Sequence, residues 1–256
     1  MRAFRRSLSA LLIAGAMALN TPLAAMGQEP SATDGQFWLQ YDLRNPISEK
    51  LEGSYNLGYR KLLTTEEEIG EWSRLHIRGG LDYNLWRRVS LDAGVGLFYT
   101  FEETDTNRTE LRFQESATIR WPAWNLGKRR FDLRHRFRLE QRFLRTDHTD
   151  FAMRLRYRLA TFIPLNRRTI DSKTMYVALM GEWFNDLGYD VQEFFAARLR
   201  VTAGLGYVKG DNWTYELRYT AQKSRNTVSG EFEKTDHIFD LRIRTSIRLR
   251  ELGRNW

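Results

Sequence analysis

The chain has 256 residues, 40 basic against 32 acidic side chains, a net charge of +8, no cysteine and a mean hydropathy of −0.56. The missing cysteine excludes a disulfide framework and a thiolate metal site, and the low hydropathy excludes a bundle of membrane-spanning helices. Aromatic residues are nonetheless 13 % beside 28 % charged, a mixture that a membrane β-barrel produces by alternating lipid-facing and interior residues along each strand.

Met1 to Gly27 reads as a secretory signal: Arg2, Arg5 and Arg6 form the positive start, Leu8 to Leu19 the apolar stretch, and Ala25-Met26-Gly27 the small-x-small cleavage pattern. Cleavage is expected after Gly27, which leaves a single domain at 28–256 with a net charge of +5. The apolar stretch is about 12 residues, short of the roughly 20 that a membrane-spanning helix needs, so an uncleaved anchor is the weaker alternative.

Beyond Gly27, period two takes over. Strands are expected at Phe37 to Arg44, Leu51 to Arg60, Leu75 to Leu85, Val89 to Phe101, Leu111 to Trp121 and Arg130 to Phe143. They continue at Phe151 to Ile163, Met175 to Trp183, Phe195 to Tyr207, Trp213 to Ala221 and Phe239 to Leu249. In Leu75, Ile77, Gly79, Leu81, Tyr83 and Leu85 the apolar side chains share one strand face, with Arg74, His76, Arg78 and Asp82 on the other. A helix would scatter Phe131, Leu133, Phe137, Leu139 and Phe143 around its circumference. Only Thr64 to Ile69 suits a short helix.

Turn chemistry separates the segments at Asn45-Pro46, Leu126-Gly127-Lys128 and Lys209-Gly210-Asp211-Asn212. Trp86 to Arg88 and Lys209 to Asn212 are tight connections, whereas Leu63 to Ser73 and Lys223 to Asp236 are long. Tight connections usually face the periplasm, which taken literally starts the first strand at the outer side, and bacterial barrels have even strand numbers. The expected fold is therefore all-β: a transmembrane, antiparallel up-and-down barrel of ten to twelve strands, with twelve favoured.

A soluble barrel would point its apolar face inward and a membrane barrel outward. Export, the glycines Gly80, Gly94 and Gly96 beside Asp82 and Asp92 on the polar face, and rings clustered at strand ends select the membrane form. Those rings include Tyr99, Phe101, Trp121, Trp124, Tyr207 and Trp213. Aromatic residues are also good strand formers, but so many beside turns fit an interfacial girdle. Glu115 and Gln141 fall on the apolar side and depart from the pattern, and the terminal Trp256 lies out of phase with the last strand.

The chain resembles an outer-membrane barrel family catalogued as domain of unknown function 2490. The resemblance lies in Phe37-Trp38-Leu39-Gln40-Tyr41 with the Asn45 to Lys50 turn, in Gly80 to Leu85 before Trp86-Arg87-Arg88, in Arg154 to Leu159, and in Glu182-Trp183-Phe184-Asn185-Asp186. It implies location and architecture and carries no catalytic residues.

No catalytic constellation emerges from the sequence, and the protein is read as not an enzyme. Of the four histidines, His135 falls on the apolar face and His148 in a loop; His76 and His237 are assigned to the polar face, with no serine motif beside them. A hairpin centred on Arg87 places Asp82 opposite Asp92, which either hold a cation or are neutralised by nearby arginines. Neither a metal-binding spacing nor a nucleotide loop occurs, so no metal and no cofactor is expected. Export and the spread of Arg over many strands argue against nucleic acid as a partner. The expected partners are outer-membrane lipid, the barrel-assembly machinery and small anionic solutes.

The most specific feature is a basic interior wall: Arg134, Arg136 and Arg138 on one strand, Arg154, Arg156 and Arg158 on the next, with Arg198, Arg200, Arg242, Arg244 and Arg248 adding to it. A hairpin centred on Asp147 pairs Arg136 with Arg158, Arg138 with Arg156 and Glu140 with Arg154. Facing like charges destabilise a sheet, and the inward acids Asp82, Asp92, Asp132, Glu140, Glu182, Glu216 and Asp240 are too few to cancel them. Hence two readings: a porin-like passive channel or small-solute transporter that prefers anions, or a structural or ligand-binding barrel plugged by Arg-carboxylate networks. An envelope-lipid hydrolase is the least supported.

Overall fold

Alternating side chains and tight turns leave each segment one way to satisfy its backbone, which is to pair with its chain neighbours. The computed structural model describes residues 33–63, 72–103, 106–187, 196–225 and 234–247. Its strands are β1 (Thr33–Pro46), β2 (Leu51–Leu62), β3 (Trp72–Trp86), β4 (Val89–Glu102), β5 (Arg108–Arg120), β6 (Trp124–Leu126) and β7 (Arg129–Phe131). They continue as β8 (Leu133–Arg145), β9 (Thr149–Pro164), β10 (Met175–Leu187), β11 (Ala196–Lys209), β12 (Trp213–Arg225) and β13 (Lys234–Ser246). All but β6 and β7 form a closed barrel in the order β1-β13-β12-β11-β10-β9-β8-β5-β4-β3-β2.

The barrel strands number eleven, within the expected ten to twelve and one short of the favoured twelve. With an odd number of alternating strands, the first and last run the same way, so β1 and β13 pair in parallel from Thr33↔Thr235 to Arg44↔Ser246. The ladder is thus antiparallel everywhere except at this seam. β1 starts at the end that carries the connections 63–71, 188–195 and 226–233, here termed the loop end, and β13 finishes at the opposite, turn end. The segment expected to form a short helix, Thr64 to Ile69, lies outside the described residues, as do the signal segment, Arg248 and Trp256.

The turn end owes its tightness to local chemistry. Gly127 (φ 61°) and Gly210 (φ 64°) take the left-handed backbone that a side chain disfavours, closing the β6–β7 and β11–β12 turns. The expected strand Arg130 to Phe143 is interrupted: the β5–β8 ladder ends at Trp121 N to Leu133 O (2.9 Å), and residues 122–132 fold back as a separate hairpin. Pro122 cannot donate to a ladder, which assists the departure. The hairpin anchors on the β9–β10 connection through Arg130 N to Arg168 O (2.9 Å) and Arg129 Nη2 to Leu165 O (3.1 Å).

The barrel is inverted relative to a soluble one. Leu57, Ile77, Leu97, Val201 and Leu217 are exposed on the outer surface near the middle of their strands. Exposed rings bracket this aliphatic band: Trp86, Trp121, Tyr207 and Trp213 at the turn end, and Tyr59, Phe101, Phe143 and Phe151 at the loop end. Residues that are charged or polar are buried instead, among them Asp42, His76, Glu110, Arg142, Glu140 and Glu216. His135 faces outward, where its Nδ1 meets the Tyr157 hydroxyl at 2.7 Å. His237 also lies outside, stacked on Tyr219, because Asp236, Ile238 and Asp240 take the inward positions of β13. Its assignment to the polar face is thereby corrected. Glu115 stands midway along β5 on the outer surface, opposite Leu139 of β8.

Large interior side chains need room against the wall, and glycine supplies it. A Cβ on Gly58 would come within 2.2 Å of the His76 ring, and one on Gly206 within 2.2 Å of the Tyr176 ring. At Gly80 and Gly94, which face each other across β3 and β4, the obstacle would be the partner backbone itself.

Candidate functional site: an arginine-lined interior

The interior encloses a cavity of about 800 Å³, lined from Glu102 and Arg108 near the loop end to Arg120 and Arg134 near the turn end. Among the described residues, eighteen arginines and no lysine line it, against eight carboxylates. Arginine presents a planar fork of donors and stacks on rings, whereas lysine is a flexible point charge. The lining uses both properties: Arg60 lies 3.9 Å from the centroid of Trp38, Arg112 4.2 Å from Phe98, and Arg134 4.7 Å from Phe162.

The hairpins place the expected residues in register. Asp82 stands opposite Asp92, Arg136 opposite Arg158, Arg138 opposite Arg156 and Glu140 opposite Arg154. Arg134, Arg136, Arg138, Arg154, Arg156, Arg158, Arg200, Arg242 and Arg244 line the cavity, as do Asp82, Asp92, Glu182, Glu216 and Asp240. Arg198 falls at a β-bulge between Ala197 and Leu199, and its side chain lies outside the described ones. Asp132 pairs at the turn end with Arg134, at 3.1 Å.

Carboxylates organise part of the wall into tight knots. Glu140, with 0 % exposure, accepts from Arg154 Nε and Nη2 (3.0 and 2.8 Å), bonds Arg156 through its other oxygen, and has Arg112 at 3.6 Å. Arg156 continues to Glu182 (2.8 Å), which Arg200 approaches at 3.7 Å. Glu110 takes two bonds from Arg142 (2.8 and 2.9 Å) and one from Arg112 (2.7 Å). Glu216 is held by Arg218 and the Tyr176 hydroxyl, and Asp42 by Arg242 and the Asn56 amide. The facing pair is neutralised separately: Arg44 reaches Asp82 at 3.3 Å, while Arg138 at 3.8 Å and the Ser116 hydroxyl at 2.7 Å hold Asp92.

Other arginines have no such partner. Among the described residues, Arg60, Arg74, Arg78, Arg120, Arg136, Arg158 and Arg244 have no carboxylate at ion-pairing distance, and all seven line the cavity. Among the described residues, Arg136 donates a side-chain hydrogen bond only to the Thr118 hydroxyl (3.0 Å). Of the six anticipated arginines on β8 and β9, Arg134, Arg138, Arg154 and Arg156 are therefore balanced, and Arg136 and Arg158 are not. Several prominent interior groups escaped the sequence reading, namely Asp42, Arg60, Glu110, Arg112 and Arg142, and Arg74 and Arg78 were placed on the polar face of β3 without being counted in the basic wall. The signal was present: they occupy the same alternating face of β1, β2, β3, β5 and β8 that was followed in detail only on β8 and β9.

Neither a curated protein nor a solved structure matches the chain. The family model described as protein of unknown function (DUF2490) matches residues 35–233, which covers β1 to β12 and most of the arginine-lined wall. The chain belongs to that family.

Proposed function

We propose that this protein is an outer-membrane β-barrel, exported by an N-terminal signal cleaved after Gly27, whose interior passes small anions. The observation that carries the reading is the inverted barrel with an excess of arginine over carboxylate along its cavity. An aliphatic outer band between two collars of rings matches the lipid core and its two interfaces. Fixed positive charge in a narrow passage with low-dielectric walls raises the local anion concentration. The activity needs no catalytic group and no cofactor.

Barrel width supports a narrow passage. Eight-stranded barrels are filled by side chains, and roughly 16 to 18 strands leave a wide aqueous channel. Eleven strands with about 800 Å³ of free interior fall between the two, so a permeating ion would touch the arginines rather than pass in bulk water.

Reversal potentials across a chloride gradient, recorded with the protein in planar bilayers, should show anion preference. The double variant Arg136→Gln/Arg158→Gln removes two unbalanced charges and should reduce that preference. Cation preference would overturn the reading. The second reading, a barrel sealed by its ionic knots, is favoured by the complete burial of Glu140 among three arginines, and a silent bilayer from well-folded protein would select it.

A lipid-facing surface makes a further demand. Leu155, exposed on the outer face of β9, should tolerate Arg poorly, with a cost of about 2–4 kcal/mol at mid-membrane depth. Removing the exceptional outward charge by Glu115→Leu should act in the opposite direction. Urea unfolding in lipid vesicles measures both, and a tolerated Leu155→Arg would contradict a membrane-facing exterior.

A further inference from the structure

We propose that the wall formed by β1, β2 and β3 holds a seat for a small tetrahedral oxyanion of the phosphate or sulfate type, gripped by Arg60, Arg74 and Arg78 beside Trp38. The inference rests on the interior admitting anions and deepens that reading by naming their class.

Register brings these residues together. Arg60 stands opposite Trp38 of β1 on one side and opposite Arg74 of β3 on the other. Arg78 follows Arg74 on the same face of β3, with His76 between them. Directly opposed like charges destabilise a sheet. At the opposed pair Arg138 and Arg156 buried carboxylates answer such crowding; here none does among the described residues. The acids around them are committed to other groups: Glu110 to Arg112 and Arg142, Asp42 to Arg242, Glu102 to Arg108, and Asp240 to the Gln40 amide and Arg218.

Neutral groups orient the three guanidinium groups without cancelling their charge. Arg74 Nε donates to the Thr100 hydroxyl (2.6 Å), and Arg78 donates through Nε and Nη2 to the Asn56 side-chain oxygen (3.0 and 2.6 Å). His76 Nε2 shares that same oxygen at 2.8 Å, which places its ring hydrogen on Nε2. The Arg60 guanidinium lies over the Trp38 ring at 3.9 Å, and its buried Nε has no hydrogen-bond partner. Arg200 approaches the same ring at 5.3 Å. A guanidinium held over a ring leaves its N–H edge free, and that fork matches two oxygens of one anion. A halide offers a single atom and cannot set a separate acceptor against each N–H of the fork. All three arginines line the cavity, so a soluble anion can reach them.

The test is calorimetric titration of inorganic phosphate into the folded full-length protein in detergent, at constant ionic strength against chloride. Saturable phosphate binding is expected, weakened about tenfold or more by Arg60→Gln, as for loss of a charge-assisted hydrogen bond. Arg60→Lys keeps the charge and loses the fork, and should weaken phosphate nearly as much. Lys128→Gln, on the exposed β6–β7 turn, should bind like the parent. Should the Arg60 variants fail to fold, Arg74→Lys makes the same comparison. Phosphate heats no different from those of chloride, or full binding by Arg60→Lys, would overturn the seat. Anion current without phosphate binding removes the seat and leaves the passage; phosphate binding with a silent bilayer keeps the seat and removes the passage.

Discussion

Replacing Glu140 by Gln should lower the stability of the folded barrel by about 3–5 kcal/mol, the range for breaking a buried ionic group by deleting one partner. The carboxylate is fully buried and is the common acceptor for Arg154 and Arg156, with Arg112 close by. An amide of the same shape keeps the packing but removes the negative charge that Arg154 and Arg156 share, leaving Glu182 to answer Arg156 and Glu110 to answer Arg112. The matched control is Arg158→Gln. Arg158 stands opposite Arg136 and has no carboxylate partner among the described residues, so its removal relieves repulsion and should be neutral or slightly stabilising. Urea unfolding, followed by tryptophan fluorescence and by the altered gel migration of folded barrels, measures both. A Glu140→Gln midpoint close to the parent would show that the knot contributes specificity rather than stability.

The seam should be the second sensitive place. Parallel pairing is slightly weaker per residue than antiparallel pairing, and β1 and β13 have no connecting turn to hold them together. Side chains inside the barrel supply the clamp: Arg242 binds both oxygens of Asp42, and the Gln40 amide lies 3.0 Å from both oxygens of Asp240. At the turn end the backbone adds Ile247 N to Arg44 O at 2.8 Å. Asp42→Asn should therefore cost about 3–5 kcal/mol, again as a broken buried pair, and the damage should be local. Amide hydrogen exchange should rise in β1 and β13 before the other strands. Uniform acceleration around the barrel would argue against a seam-specific clamp.

The two effects differ in how far they could be foreseen. Glu140 lies in a hairpin whose tight turn sets the register, so its position opposite Arg154 follows from counting residues on either side of Asp147. Its third arginine, Arg112, comes from the next strand over, β5, and from a pair of strands joined by the β6–β7 hairpin rather than a short turn. The clamp between Asp42 and Arg242 spans 200 residues of chain, and no local rule predicts such a partner.

Side-chain alternation by itself determined the all-β architecture, which side chains point inward on each well-formed strand, and the pairings across tight hairpins, because a strand has period two and a short turn fixes register. The exception at His237 arose in β13, where Ile238 takes an inward position and masks the phase. Closure was a different matter. Eleven strands can close only if the first and last run parallel, and whether they do depends on long-range contacts at the seam, not on any segment's own pattern. Tertiary structure likewise decided which arginines are neutralised. Arg138 and Arg158 both alternate with apolar residues on neighbouring strands, yet among the described residues only Arg138 meets a carboxylate, Asp92, supplied by a strand that is not its chain neighbour. Charge balance inside a barrel is set by the full circle of strands, because each buried charge is answered by whatever the neighbouring walls bring within reach.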